Sequence, residues 1–346
     1  MDGYAVLASD TFGAGDASPV FFQVDGQVAI EENPRLSGGP MHAVQVQTGG
    51  RIPEGATAVV MLEYTEKYMP GHIIVTRPVS EGENIAAAGE DISLDQCLIR
   101  RGKSIGAGDI GMLAAQGIRD LAVFKPLRVA VISTGDELID AEGTPSGAKI
   151  RDIIILSLTA LAVSCGMAVT WQTRVGDHEE EIIEALRYAK KLSDVVLISG
   201  GSSKGSKDYT KKALEAVTEN VFSHGISVKP GKPTILAADR KTGKLFVGLP
   251  GHPMAAVLMF HLLVVDWYRK VTGQTAKHPY PARLTENVSS NQGRATCLPV
   301  RLVPSPEGYG AAPIHGKSGS ISPLGLADGY IIIPESCEGL TCASPV

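Results

Sequence analysis

Two stretches set the hydrophobic pattern of the chain. Residues 128–138 and 194–209 each open with a short apolar, β-branched run and break off abruptly into glycine and polar positions. A strand buried on both faces that empties into a loop at its carboxyl end has this signature. Ligands of open α/β sheets bind at such ends.

From Arg128 to about Gly273 the two periodicities alternate. Period-two or continuous apolar runs predict strands at 129–133, 167–172, 195–198, 226–228, 235–238 and 245–247. Helical spacing predicts helices at 153–165, stopped by Gly166, at 179–192, capped by Asp177, at 209–217, and a long buried one after Pro253. In the helix at 179–192, Ile182, Ile183, Leu186 and Ala189 share one face. Such alternation predicts a mostly parallel sheet covered by helices on both sides.

The flanking regions read differently. Before residue 90, short strand-like runs at 20–24, 43–47, 58–61 and 72–75 are separated by turn pairs such as Asp25-Gly26 and Pro70-Gly71. A connector follows, with one helix at 108–116 closed by Gly117. After Gly273 the helical signals stop, and runs at 295–303 and 330–333 stand between Gly, Pro and Ser turns. The expected fold is therefore multidomain α/β. Its parts are an N-terminal β-rich module at 1–89, a connector at 90–125, a central mostly parallel α/β domain at 126–273 and a small β-barrel-like domain at 274–346.

Composition narrows the setting without changing this plan. At 346 residues, 44% hydrophobic and 20% charged, the chain has material for two or three cores. A net charge of −5 with no Lys/Arg block does not point to a nucleic-acid or anionic-membrane surface. The five cysteines, Cys97, Cys165, Cys297, Cys337 and Cys342, are scattered and lack a CxxC pair, as expected of reduced thiols in a cytoplasmic protein. Met1 opens directly onto Asp2-Gly3-Tyr4, without a signal-peptide pattern. The longest apolar stretch, 254–267, is interrupted by His261 and is too short to span a bilayer.

Candidate chemistry collects at the strand ends. The loop 199–208 contains Gly200, Gly201, Ser202, Ser203 and Gly205 and leads from a strand into a helix. Its glycines admit close backbone approach and its hydroxyls add donors, so it suits an anion such as phosphate; an ordinary flexible connection is the other reading. The Walker and dinucleotide fingerprints are both absent. Thr134 and Gly135 precede Asp136 and Glu137 at one strand end, and Asp152 and Asp208 lie in neighbouring loops. These carboxylates could hold Mg²⁺ bridging phosphate oxygens, or Asp152 and Asp208 could simply cap helices. In Lys229-Pro230-Gly231-Lys232-Pro233 two prolines stiffen a turn that presents two lysines, either a cationic clamp for an oxyanion or a solvated turn. Pro250, Gly251, His252 and Pro253 likewise join a strand to a helix, and His252 could donate to an anion. No catalytic triad, HExxH or histidine cluster is present, so the set suits positioning and charge neutralisation rather than covalent catalysis.

Six ordered motifs then resemble one family. They are residues 1–6, 48–56, 89–92, 133–138, 229–233 and 248–253, and they are similar to the MoeA/gephyrin molybdopterin molybdotransferases. The resemblance continues to the Asp328-Gly329-Tyr330 stretch. It implies a molybdopterin-binding-like central domain and a transferase that inserts molybdate into adenylylated molybdopterin, with Mg²⁺-assisted release of AMP. It also implies a homodimer whose cleft is completed by the partner's N-terminal part. Glu137 and Asp208 would then lie at Mg²⁺ and the adenylyl phosphate, Gly200, Gly201 and Ser203 would cradle the ligand, and Lys229 and Lys232 would hold molybdate or the pterin end. Asp2, Thr48 and Asp91 match family positions that project into the cleft, and Asp152 matches the aspartate after the second strand-end loop.

Departures from the pattern fall at the same loops. Ile153-Ile154 stand where the family has Ser/Thr-Asn, Lys204 replaces Val, His252 replaces Asn, and Met254-Ala255 replace Val-Ser. The helical segment that precedes Asp-Gly-Tyr in the family is not in this sequence. Alternative functions are therefore a tungstate-inserting member, a divergent pterin-nucleotide binder or scaffold, and a nucleotide pyrophosphatase sharing the central domain. The flanking β modules argue against the pyrophosphatase.

Overall fold

The computed structural model describes residues 1–28, 36, 39–200, 209–274 and 279–346. They form two compact units, Met1–Leu98 and Ile99–Val346.

The first unit is a sheet of strands β1 (Gly3–Val6), β2 (Val20–Gln27), β3 (His42–Val46), β4 (Ala58–Met61), β5 (Thr65–Met69) and β6 (His72–Val75), in the order β4-β1-β3-β2-β6-β5. β1 lies between β3 and β4 and is buried along its whole length. Tyr4 and Val6 pack with Phe22, Val60 and Val75 on one face, while Ala5, Val44, Val46 and Val59 pack on the other. At four residues, β1 is too short to announce itself by periodicity. The expected strands at 58–61 and 72–75 coincide with β4 and β6.

In the second unit, helix α1 (Ala107–Ala115) precedes a six-stranded sheet. Strands β7 (Arg128–Thr134), β10 (Ala168–Val175), β11 (Val195–Ser199) and β15 (Lys244–Leu249) run parallel. β14 (Ile235–Asp239) and β12 (Asn220–His224) complete one edge antiparallel, giving the order β10-β7-β11-β15-β14-β12. Short strands β8 (Leu138–Ile139) and β9 (Ile150–Arg151) pair with each other beyond β7. Side chains alternate across the sheet, so Val129 and Val131 of β7 face one core and Ala130 and Ile132 the other. Helices α2 (Ile154–Ser164), α5 (Pro253–Met259) and α6 (Asp266–Thr272) cover the first face, and α3 (Glu179–Leu192) and α4 (Tyr209–Val217) the second.

Three expectations need correction. Asp177 does not cap α3: His178 occupies that position without a side-chain capping bond, and the Asp177 N–H instead donates to Asp136 Oδ1 at 3.1 Å. The acidic first turn Glu179-Glu180-Glu181 offsets the helix dipole in its place. The long helix expected after Pro253 is present, running from α5 through π-helical residues 260–265 into α6. A strand does reach into 226–228, at Val228, but it lies outside the central sheet. The edge strand β12 ends before it, and β13 (Val228–Lys229) pairs instead with β18 (Ala295–Ser305) of the C-terminal sheet. Helix formation also continues past Gly273, in α7 (Ser322–Leu326), which carries Pro323 in its first turn and is too short to show a period.

The C-terminal sheet is built on β18, which pairs antiparallel with β19 (Gly308–Pro313) and β20 (Gly329–Ile333), while β16 (Arg283–Leu284) runs parallel to β19. Leu284, Val300, Ala311, Ile331 and Ile333 form its core. β17 (Val288–Ser289) and β21 (Gly339–Leu340) form a separate small pair. The molecule is thus a multidomain α/β protein with mixed sheets. Among the described residues no helix is long and apolar enough to cross a membrane.

Candidate functional site at the carboxyl rim of the central sheet

Three neighbouring strands end level with one another. The register sets Ser133 of β7 opposite Ser199 of β11, and Ser199 opposite Leu249 of β15. Thr134, Gly200 and Pro250 therefore leave the sheet side by side. The Gly200 N–H donates to Leu249 O at 3.4 Å, and Ser199 Oγ donates to Pro250 O at 3.1 Å. Thr210 Oγ1, in the first turn of α4, donates to Gly200 O at 2.8 Å.

Glycine is required at 200. Its φ of +108° is open to few other residues, and a Cβ there would sit 2.3 Å from Thr134 O and 2.5 Å from Thr134 Oγ1. Gly251 closes the other side, where a Cβ would lie 3.4 Å from Gly200 Cα. The loops of β11 and β15 are pressed together by these small residues.

Glu137 and Asp152 reach the same rim through the β8–β9 pair. The Ile150 N–H donates to Glu137 O and the Asp152 N–H to Ile139 O, both at 2.8 Å, which turns the chain back beside the end of β7. The Glu137 carboxylate folds over Gly135, where a Cβ would be 2.6 Å from Glu137 Oε2. Asp152 is 3% exposed, and its Oδ1 accepts from the N–H groups of Ile154 and Ile155, each at 3.1 Å. Capping of α2 is therefore one of its tasks. Its Oδ2 is buried without a hydrogen-bond partner among the described residues, and so is Thr134 Oγ1. Leaving such an atom unpaired costs ~1–3 kcal/mol, a penalty that a ligand can remove.

The Lys229–Pro233 turn approaches this rim from the antiparallel edge. Because Ile235 opens β14 opposite Gly248, the residues just before it lie at the carboxyl end of the parallel strands. The turn is held by Gly231 O, which accepts from the Thr234 N–H at 3.1 Å and from Thr234 Oγ1 at 2.7 Å. Lys229-Pro230 is a cis peptide, and Gly231, at φ +137°, packs so closely on Met259 that a Cβ would fall 2.3 Å from its Sδ. Both lysine side chains are exposed. His252 stands at the start of α5, with Nδ1 2.9 Å from Ser318 Oγ.

Asp2, Thr48 and Asp91 belong to the first unit, where the Thr48 N–H donates to Asp2 Oδ1 at 2.6 Å and holds its carboxyl below the usual carboxylate range. Gly201, Ser202, Ser203, Gly205 and Asp208 lie outside the described residues. Ser318 escaped sequence reasoning, since its Gly/Ser-rich surroundings read as an ordinary turn. Among the described residues no three His, Cys, Asp or Glu side chains converge on a single metal position. The Glu137 carboxylate is an oxygen donor of the kind that suits Mg²⁺, which takes one or two protein carboxylates and completes its shell with water and phosphate oxygens.

Comparison with known proteins meets this geometry from three sides. Residues 1–117 match the MoeA N-terminal region (domain I and II), 130–270 the probable molybdopterin binding domain, and 281–342 the MoeA C-terminal region (domain IV). A putative molybdopterin biosynthesis protein of Methanocaldococcus jannaschii is 31% identical, over 98% of this chain and 81% of the relative. The chain belongs to the MoeA family. A molybdopterin molybdenumtransferase of Staphylococcus aureus is 29% identical over 100% of this chain and 82% of its own length. A solved molybdopterin biosynthesis MoeA protein from Pyrococcus horikoshii superposes with a TM-score of 0.82 at 35% identity, covering 100% of this chain and 85% of that one. In this MoeA chain the central sheet, and with it the rim, falls in the matched molybdopterin binding domain.

Proposed function

We propose that this chain inserts molybdate into adenylylated molybdopterin with Mg²⁺-assisted release of AMP, forming molybdenum cofactor. Its family makes it a transferase of molybdenum cofactor biosynthesis. Two buried oxygens without partners among the described residues, Thr134 Oγ1 and Asp152 Oδ2, support the finer reading, because both residues lie by the rim where three strands end together.

On this reading the Thr134 hydroxyl donates to a phosphate oxygen, and Asp152 Oδ2 accepts from a donor group of the ligand. Gly200 and Gly201, with Ser202, Ser203 and Gly205, let backbone and hydroxyl donors approach the phosphate. Gly135, Pro250, Gly251 and His252 shape the opposite wall. Glu137 and Asp208 hold Mg²⁺, which when bound neutralises charge on the phosphate linking AMP to the pterin. Lys229 and Lys232 fix the oxyanion by charge from a turn stiffened by Pro230 and Pro233, so catalysis rests on positioning. Asp2, Thr48 and Asp91 contribute further ligand contacts in a cytoplasmic homodimer.

AMP release from adenylylated molybdopterin, measured with Mg²⁺ and with molybdate, tungstate or neither, tests the reaction. Release that requires molybdate is the expected result, and Lys232→Ala should raise the molybdate concentration needed. Response to tungstate alone would make the chain a tungstate-inserting member. Tight binding of the substrate without release would leave a pterin-binding protein.

A further inference from the structure

The C-terminal sheet reaches the rim at two points. β13 carries Lys229 into a parallel ladder with β18, pairing Lys229 with Thr296. Ser318, in the loop between β19 and α7, is half-buried and lies with its Oγ 2.9 Å from His252 Nδ1. Gly319 follows closely, since a Cβ there would be 3.9 Å from His252 Cδ2. His252 Nε2 has no hydrogen-bond partner among the described residues.

We propose that Ser318 is a positioning residue for the oxyanion site. Its hydroxyl donates to His252 Nδ1 and selects the ring tautomer that carries the proton on Nε2, which then serves as a donor to molybdate or tungstate. A neutral imidazole has one donor nitrogen and one acceptor nitrogen, so with the Ser318 hydroxyl as donor to Nδ1 the ring proton sits on Nε2. His252 begins α5 directly after Gly251, whose backbone abuts Gly200. The donor is thereby placed beside the ends of β11 and β15. The C-terminal domain thus sets one anion contact through a side chain, in addition to anchoring Lys229 through its backbone. This inference rests on the oxyanion reading of the rim.

The test compares the full-length wild type with Ser318→Ala, Ser318→Thr and His252→Asn, reading histidine ring ¹⁵N shifts and molybdate-dependent AMP release. The His252 resonance, identified by its loss in His252→Asn, should show a single Nε2-protonated tautomer in the wild type and a mixture in Ser318→Ala. Ser318→Ala should raise the KM for molybdate about fivefold, the loss expected for one hydrogen bond, with kcat held within about twofold. Ser318→Thr, which keeps the hydroxyl, should restore both signals. The proposal is overturned if Ser318→Ala leaves the tautomer or the molybdate KM unchanged, if KM and kcat change together as in a folding defect, or if Ser318→Thr fails to rescue. Should the wild type release no AMP with any oxyanion, the transferase reaction fails as a reading, while the tautomer comparison still decides whether Ser318 sets His252.

Discussion

Cys297 and Gly231 show how much of this protein's behaviour is fixed by what surrounds one side chain. Cys297 is 2% exposed on β18, and burial pushes its thiol up to about 12. The thiolate is the reactive form, so this cysteine should resist alkylation in the folded protein. Brief iodoacetamide treatment at pH 8 followed by mass spectrometry should label exposed Cys342 well before Cys297, with the difference abolished in denaturant. Equal labelling in the native state would mean that the C-terminal core opens freely. Gly231 illustrates the opposite constraint, where absence of a side chain lets the lysine turn settle onto Met259.

At the scale of elements, one residue joins a helix to the candidate chemistry. Asp152 caps α2 through Oδ1 and leaves Oδ2 for the rim, so its two oxygens can be tested apart. Asp152→Ala should lower stability by ~1 kcal/mol, the usual worth of an N-cap, and also impair AMP release. Asp152→Asn keeps an oxygen for the cap, and its stability should stay within ~0.5 kcal/mol of wild type while activity falls. Denaturant unfolding alongside the release assay separates the two effects. Full activity in a stable Asp152→Asn protein would confine Asp152 to capping.

For the whole molecule, buried or half-buried carboxylates tie distant parts of the central domain together. Lys190 of α3 forms an ion pair with Asp239 at the end of β14, holding the Asp239 carboxyl down to about 2. Arg128 and Asp194 join the starts of β7 and β11 at 2.7 and 3.2 Å, and the Arg128 side chain lowers the Asp194 carboxyl. A carboxyl lowered by folding stabilises the protein fully above its unfolded value near 4, and this contribution disappears as pH falls through the folded value. Melting temperature should therefore drop between about pH 4 and pH 2. Asp239→Asn should be less stable at neutral pH and show a shallower acid decline. An unchanged slope would show that the Lys190 pair does not couple folding to pH.

The sequence by itself determined most of the central architecture, because local forces are sufficient there. β11 could be read from its continuous apolar run, and α3 and α4 from a one-sided apolar stripe, with the boundaries of both helices recovered. The glycine-rich strand ends also pointed to the rim, since glycine marks tight turns and close approach wherever it occurs. Tertiary structure alone decided what depended on partners far along the chain. β13 is two residues long and exists because β18 offers it a ladder, β1 is a strand because it is buried between β3 and β4, and α7 falls below any detectable period. The same reason explains Ser318. Its place beside His252 spans 66 residues of sequence, and such a contact leaves no local periodicity from which it could be read.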